Sequence, residues 1–372
     1  MTLWRCRLPL LVLGWLLSPG PGWACNVPVF RYALERWRST QDEDRYQCVV
    51  FHRGPLAEDE AKVASTLRTA GERRDAPTNL SVETVDLSNK AEGELQQLWE
   101  QQGAVKLPWM VLRYPVGRDE RRTVWSGRLR VGETDSLLDS PARREIARRL
   151  MRGDSVVWVL LESGDKERDD AADAVLRTQL PRLEKSVQLP DAADEDSVKL
   201  LSNLPLRLVF SSLRVRRTDT AEKMLVEMLL HADSDLANSV GPMVFPIFGR
   251  GRVMDALIGE GINAETLRDT ARFLCGACSC QVKRLNPGVD LLIAADWDSI
   301  LEDREEVPRR PASGRGERVP IPTPKRRTDS GSGETTASPS SARLPIAVAL
   351  GMVLVVGLGL AWRARRRKGE RA

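Results

Sequence analysis

Residues 275–280 read CGACSC, which packs three of the chain's six cysteines into six positions. Thiols at this spacing are suited to three kinds of chemistry. In an oxidising compartment Cys275 can pair with Cys278 or Cys280, leaving one thiol over. Three thiolates can hold Zn(II) or Cu(I), but a closed zinc site needs a fourth ligand, and His52 and His231 lie far off in sequence and outside any ligand-spaced motif. A Cys-x-x-Cys pair can also exchange with other disulfides. The structural reading is preferred, with redox work or metal binding by Cys275, Cys278 and Cys280 as the alternatives.

Which of these applies depends on where the chain resides. Residues 1–24 run from Arg5 and Arg7 through an apolar stretch, Leu8–Leu17, to small residues at Gly22 and Ala24, the pattern of a secretory signal peptide cut before Cys25. A lipoprotein signal would place an aliphatic residue at position 22, so lipidation of Cys25 is the weaker reading. Near the other end Leu344–Trp362 is an uncharged apolar run of nineteen residues, about the length that spans a bilayer as a helix. The basic tail 363–372 that follows should remain cytoplasmic by the positive-inside rule. The expectation is a single-pass cell-membrane protein with its bulk extracytoplasmic. Residues 304–343, rich in Pro, Ser, Thr, Gly and Arg, read as a disordered stalk.

Charge divides along the same lines. The leader carries +2, the stalk +4 and the tail +5, which leaves −7 on residues 25–303 of a chain whose total is +4. An acidic folded part repels phosphate backbones, so nucleic acid is excluded as a partner. With Cys25 mature and Cys6 removed, an odd number of cysteines remains. Cys25 and Cys48 form the simplest local pair and would tie the mature N-terminus to the first strand.

The elements that position these residues come as a weak duplication. Gln47–Phe51 is a strand-like run leading through a turn at Gly54 to a helical stretch, Ala57–Ala70; Val156–Leu161 leads through Gly164 to Lys166–Leu180. Pro108–Arg118 parallels Pro242–Arg250, each opening on Pro and ending in Gly-Arg, and each is followed by a hairpin partner, Thr123–Gly127 and Val253–Gly259. The closing helices Arg144–Leu150 and Arg268–Leu274 agree at Arg, an acid, Ala, Arg and Leu in one register. Their start signals are Ser140 before Pro141, and Asn263 flanked by Ile262 and Leu267 as a hydrophobic staple. With Leu80–Leu87 as a middle strand alternating in polarity, each half reads as an α/β unit.

This order resembles the thioredoxin fold, whose third strand starts at a cis-proline and runs into an antiparallel hairpin. The resemblance implies two tandem thioredoxin-like domains, 25–153 and 154–303, which together with the apolar run 344–362 gives an α/β protein with one C-terminal transmembrane helix as the expectation. Leu107–Pro108 matches the cis-proline, and Gly241–Pro242 is the weaker counterpart. A catalytic thioredoxin carries Cys-x-x-Cys where the first strand meets its helix, since the helix N-terminus lowers the thiol pKa. Here those junctions read His52-Arg-Gly-Pro-Leu56 and Glu162-Ser-Gly-Asp165, without a thiol in either. Residues 24–37, ACNVPVFRYALERW, also resemble the mature start of a family of bacterial secreted or membrane-anchored proteins of uncharacterised function.

Other signals weigh little. The acidic runs Asp42–Asp44, Glu167–Asp170 and Asp191–Asp196 lack the spacing of a calcium loop and read as solvated helix ends and loops. Gly249-Arg-Gly251 falls in a hairpin, where no helix N-terminus can meet a phosphate. No hydrolase constellation is present, and no cofactor is implied. The expected function is non-catalytic interaction with a protein partner in an envelope or membrane complex, helped by tethering near the bilayer. The rival is an envelope thiol-disulfide oxidoreductase or copper-handling protein.

Overall fold

Tyr46–His52, YQCVVFH, and Val156–Glu162, VVWVLLE, are both rich in β-branched and aromatic residues, and both are central strands buried on both faces. Around them the computed structural model describes residues 24–37, 45–73, 77–89, 93–115, 122–190, 199–279 and 288–301. The expected leader up to residue 23, stalk, membrane span, basic tail and Cys280 lie outside the described residues, as do the acidic runs at 42–44 and 191–196. Among the described residues no helix is long and apolar enough to cross a membrane.

The protein is mixed α/β with several sheets. The chain opens with β1 (Ala24–Pro28) and α1 (Val29–Arg36). The first half continues with β2 (Tyr46–His52), α2 (Glu58–Glu72), β3 (Leu80–Asp86), α3 (Glu94–Glu100), β4 (Trp109–Arg113), β5 (Thr123–Arg128), α4 (Val131–Leu138) and α5 (Pro141–Met151). The second half contains β6 (Val156–Glu162), α6 (Lys166–Ser186), β7 (Phe210–Arg216), α7 (Lys223–Leu230), β8 (Met243–Phe248), β9 (Arg252–Val253), β10 (Leu257–Ile258) and α8 (Ala264–Cys275), followed by β11 (Ala277–Ser279) and β12 (Val289–Asp290).

Both halves are wired alike. The four-stranded sheet has the order β3-β2-β4-β5, and the larger sheet runs β7-β6-β8-β9-β12 with β10 also on β8. In each, the first strand lies parallel to the second and antiparallel to the proline-initiated one. A parallel pair needs a long crossover, which α2 and α6 supply. The proline-initiated strand then pairs with its hairpin partner. The carbonyl of the opening proline plays one role in both halves: Pro108 O accepts from Leu129 N (3.2 Å) and Pro242 O from Gly259 N (3.0 Å). Leu107–Pro108 is the one cis peptide bond among the described residues, so Gly241–Pro242 is trans.

The second hairpin is interrupted for a local reason. In an antiparallel pair a residue's N–H and C=O point to the same neighbour. Pro246 of β8 accepts from Met254 N (3.0 Å) but has no amide to return. Its partner strand therefore splits into β9 and β10 on either side of 254–256. The closing helices begin as their sequences suggest. Ser140 Oγ accepts from Arg143 N with Pro141 at the first helical position, and Asn263 accepts from Glu265 N and Thr266 N.

Alternation along the strands sorts the core into three clusters. The inner faces of both sheets, with Cys48 and Val50 on one and Val159 and Phe245 on the other, share a middle layer built from α2, α4, α5 and α7. The outer face of the larger sheet, including Trp158 and Leu160, is covered by α1, α6 and α8. The outer face of the smaller sheet, Val49, Phe51 and Val111, is covered by Leu98 of α3. The expected division at 153/154 falls in the turn between α5 and β6, where Gly153 has φ +100°.

The end of the described chain laces the halves together. β12 pairs with β9, and from its last residue, Asp290, onward the chain bonds to the first half. Tyr46 Oη donates to Asp290 O (2.8 Å), Asn79 Nδ2 to Leu291 O (3.2 Å), and Arg143 Nη1 to Leu292 O (2.9 Å). The N-terminal segment overturns an expectation. It does not join the first strand; β1 pairs with β11, Val29 N donates to Gly276 O (3.0 Å), and α1 packs under the second sheet. Gly249, at φ +59° in the β8–β9 hairpin, permits that approach, because a Cβ there would lie 2.5 Å from Ala33 Cβ.

Candidate functional site

The two places where a strand delivers the chain to a long helix are the natural sites for chemistry, because helix amides and the macrodipole converge there. At the first, Gly54 turns the chain at φ +69°. Its amide donates to Asp86 Oδ1 and Ser88 Oγ, each at 3.0 Å, and Ser88 N donates to the same Asp86 oxygen (2.8 Å). These backbone donors from Ser88 and Gly54 hold the Asp86 carboxyl below its ordinary pKa. His52 donates from Nδ1 to Gly54 O (2.8 Å). Ala57 before α2 has no side-chain acceptor, but its amide donates to Glu60 Oε2 (3.0 Å), and Glu58, Asp59 and Glu60 fill the first turn.

The second junction reaches the same end by another route. Gly164 turns at φ +94°, and the buried Asp169 folds back from α6. Its carboxylate accepts from Ser163 N (2.7 Å), Ser163 Oγ (2.8 Å) and Gly164 N (3.0 Å). Asp165 caps the helix by accepting from Glu167 N and Arg168 N. Just beyond, Arg214 bridges Glu162, Asp170 and Asp173. The first turn of α6 is thus capped by the chain's own carboxylate, while at α2 Asp86 and Glu60 hold the amides of Gly54 and Ala57 just before the helix and acidic side chains fill its first turn. An incoming anion or a thiolate would meet negative charge there instead of open amides.

The cysteines of the sequence motif lie elsewhere. Cys275 is the last residue of α8 and is fully buried as a free thiol in the outer core of the larger sheet. Burial pushes its pKa up to about 12, so it is protonated at neutral pH and a poor nucleophile. Gly276 ends the helix with φ −73°, without the left-handed conformation of a usual glycine stop. Cys278 lies in β11 and is also fully buried. Among the described residues no group of three His, Cys, Asp or Glu side chains is arranged to hold a metal ion.

Cys48 corrects the expected local bridge. It is a free thiol in the shared middle core, its pKa also raised to about 12 by burial. Cys25 lies in β1, paired against β11 and not against β2. Pro108, after a cis peptide bond, directly precedes β4, and Pro242, after a trans one, directly precedes β8. Near Pro108, Trp109 Nε1 donates to Gln102 Oε1 (3.2 Å).

Sequence reasoning missed Asp86 and Asp169 as the groups that close the junctions. Asp169 was grouped with a solvated acidic run, yet it is buried. Its spacing of four from the cap residue Asp165 is the signal that it could turn back over the loop. No family model matches the chain, and no curated protein matches its sequence.

Proposed function

We propose that this is a non-catalytic, membrane-anchored interaction protein built from two thioredoxin-like halves. In this reading residues 344–362 form the anchor, 304–343 the stalk, and the acidic folded part is held outside the cytoplasm to bind a protein partner of the envelope. The order shared by the first four strands of each sheet, with a parallel pair, an antiparallel return strand and its hairpin partner, supports the tandem thioredoxin-like assignment. One observation carries the non-catalytic part. At both strand-to-helix junctions, where such a fold would set its reactive thiol, no cysteine is present; Asp86 and Glu60 hold the amides of Gly54 and Ala57 at the first, and Asp169 and Asp165 hold those of Ser163, Gly164, Glu167 and Arg168 at the second. Tethering supplies local concentration without requiring a strong interface, and net negative charge on residues 25–303 favours a partner that presents basic groups.

The test is a thiol–disulfide exchange assay with the full chain in detergent, using dithiothreitol as reductant and insulin as substrate. The expected rate matches that of dithiothreitol alone, and Cys48 and Cys275 resist iodoacetamide until denaturant is added. An acceleration that disappears in Cys278→Ser would overturn the reading and establish a redox enzyme.

A further inference from the structure

Five cysteines follow Ala24, of which Cys25, Cys48, Cys275 and Cys278 lie among the described residues. Cys48 sits in the middle core on the inner face of the smaller sheet, and Cys275, at the buried end of α8, shares the outer core of the larger sheet with Cys278. Cys25 and Cys278 are brought together: in the antiparallel β1–β11 pair they are direct partners, flanked by Ala24 opposite Ser279. Directly opposed residues of an antiparallel pair have Cα atoms roughly 4.5–5.5 Å apart. That interval lies within the range of about 4.4–6.8 Å spanned by disulfide-bonded residues. The two strands have five and three residues, and a two-stranded ladder of that size is marginal by itself.

We propose that Cys25 and Cys278 form a disulfide that fastens the start of the exported chain to the segment following its last long helix. This rests on the extracytoplasmic reading above, since such bonds persist in oxidising compartments. The oxidant is a protein disulfide of that compartment. One thiolate of the pair attacks it, breaking its S–S bond and forming a mixed disulfide. The other thiolate then displaces the oxidant's sulfur as the Cys25–Cys278 bond forms. The oxidant leaves as a dithiol, carrying the two electrons and the two protons. The bond closes a loop of roughly 250 residues around both sheets, the situation in which a cross-link most restricts the unfolded chain. It also gives a use to the first residue of the mature chain that the expected Cys25–Cys48 bridge does not, because α1 is held on the second half and not on the first.

The experiment isolates the full chain from membranes with thiols blocked by N-ethylmaleimide at lysis, followed by tryptic digestion without reduction and mass spectrometry. A parallel sample is reduced with dithiothreitol, re-oxidised with oxidised glutathione and melted. The expected result is the peptide ending at Arg31 linked to peptide 273–283, with fragmentation placing the bond at Cys278. The link is lost in Cys278→Ser, and reduction of the natural chain lowers Tm by roughly 5–15 °C. A chain unlinked as isolated but linked and stabilised after re-oxidation would keep the pairing and overturn the extracytoplasmic assignment. The pairing is overturned if Cys25 is alkylated in both samples, carries a thioether lipid, or is bonded to Cys48, Cys275 or Cys280.

Discussion

The two sheets follow one plan, yet they are covered differently. The larger sheet has three helices on its outer face, and every residue of its central strand but Glu162 is buried. Among the described residues the smaller sheet has only the seven-residue α3 there, over the buried side chains of Val49, Phe51 and Val111. The difference comes from the segments that flank the two similarly ordered sheets. Helix α1 precedes both halves in sequence but settles on the second, and the chain from Asp290 onward reaches back to the first. Similar strand order therefore does not yield two equally covered sheets. The second half collects the added segments, and the first depends on the shared middle layer.

The manner in which each outer helix is held sharpens this contrast and carries the largest expected effect. On the second half Arg31 and Glu35 of α1 form an ion pair with both side chains 1% exposed. Glu35 also accepts from Leu201 N (2.6 Å) and from Ser202 N and Oγ. Glu35→Ala strands a buried guanidinium and several donors, a change that costs roughly 3–5 kcal/mol. On the first half Glu94 of α3 pairs with the buried Arg113, but Glu94 itself is 66% exposed and Arg113 also donates to Gln47 Oε1 (3.1 Å), so Glu94→Ala leaves that guanidinium a partner and should cost about 1–2 kcal/mol. Urea unfolding of the two variants measures the difference, and hydrogen exchange should rise across α1 and 199–204 only in Glu35→Ala. Equal losses would mean that the two coverings are equivalent after all.

A smaller difference separates the junction carboxylates. Asp169 is 3% exposed and accepts three hydrogen bonds from Ser163 and Gly164. Asp169→Asn replaces charge-assisted bonds with neutral ones and turns one acceptor into a donor, an expected loss of about 2 kcal/mol. Asp86 does the same work for Gly54 in the first half from a solvated position, and Asp86→Asn is expected to be the milder change. Thermal melts of the pair check the order, and a reversal would show that the first junction is the more tightly built.

Much of this architecture was legible in the sequence because local chemistry and the fold agree there. The alternation in Leu80–Asp86, the Ser140-Pro141 and Asn263 helix starts, and the proline heads of β4 and β8 each state their element directly. The second half's middle strand, β7, was not legible. Its sequence FSSLRVR alternates imperfectly, and its burial depends on α6 and on Arg214 spanning to Glu162. The route of the N-terminus was invisible for a different reason: nothing in ACNVPVF distinguishes a strand that pairs with residue 48's neighbours from one that pairs with residue 278's. Long-range pairing is decided by surfaces that exist only after the sheets have formed. For the same reason the cysteine spacing at 275–280 suggested a local motif, whereas the relevant neighbour of Cys278 lies at the other end of the chain.

The last and smallest effect probes how the halves communicate. On α5 of the first half, Glu145 accepts from Arg148 and Arg149. Arg149 in turn donates to Ser212 O (2.8 Å) on β7 of the second half. Hydrogen bonds from Arg148 and Arg149 hold the Glu145 carboxyl down to a pKa of about 2, below its ordinary value of about 4.3. A depressed folded-state pKa means that the unfolded chain binds the proton first. The stabilisation is therefore fully present above about pH 4.3 and is lost as pH falls toward about 2. Because Arg148 is 45% exposed and Arg149 22%, solvent screening limits the contribution to under about 1 kcal/mol. Glu145→Gln should lower Tm slightly at pH 7 and leave it unchanged near pH 2, so that the two Tm–pH curves converge in acid. If the separation between them is the same at both ends, the carboxylate is not what steadies Arg149, and the contact to Ser212 stands without it.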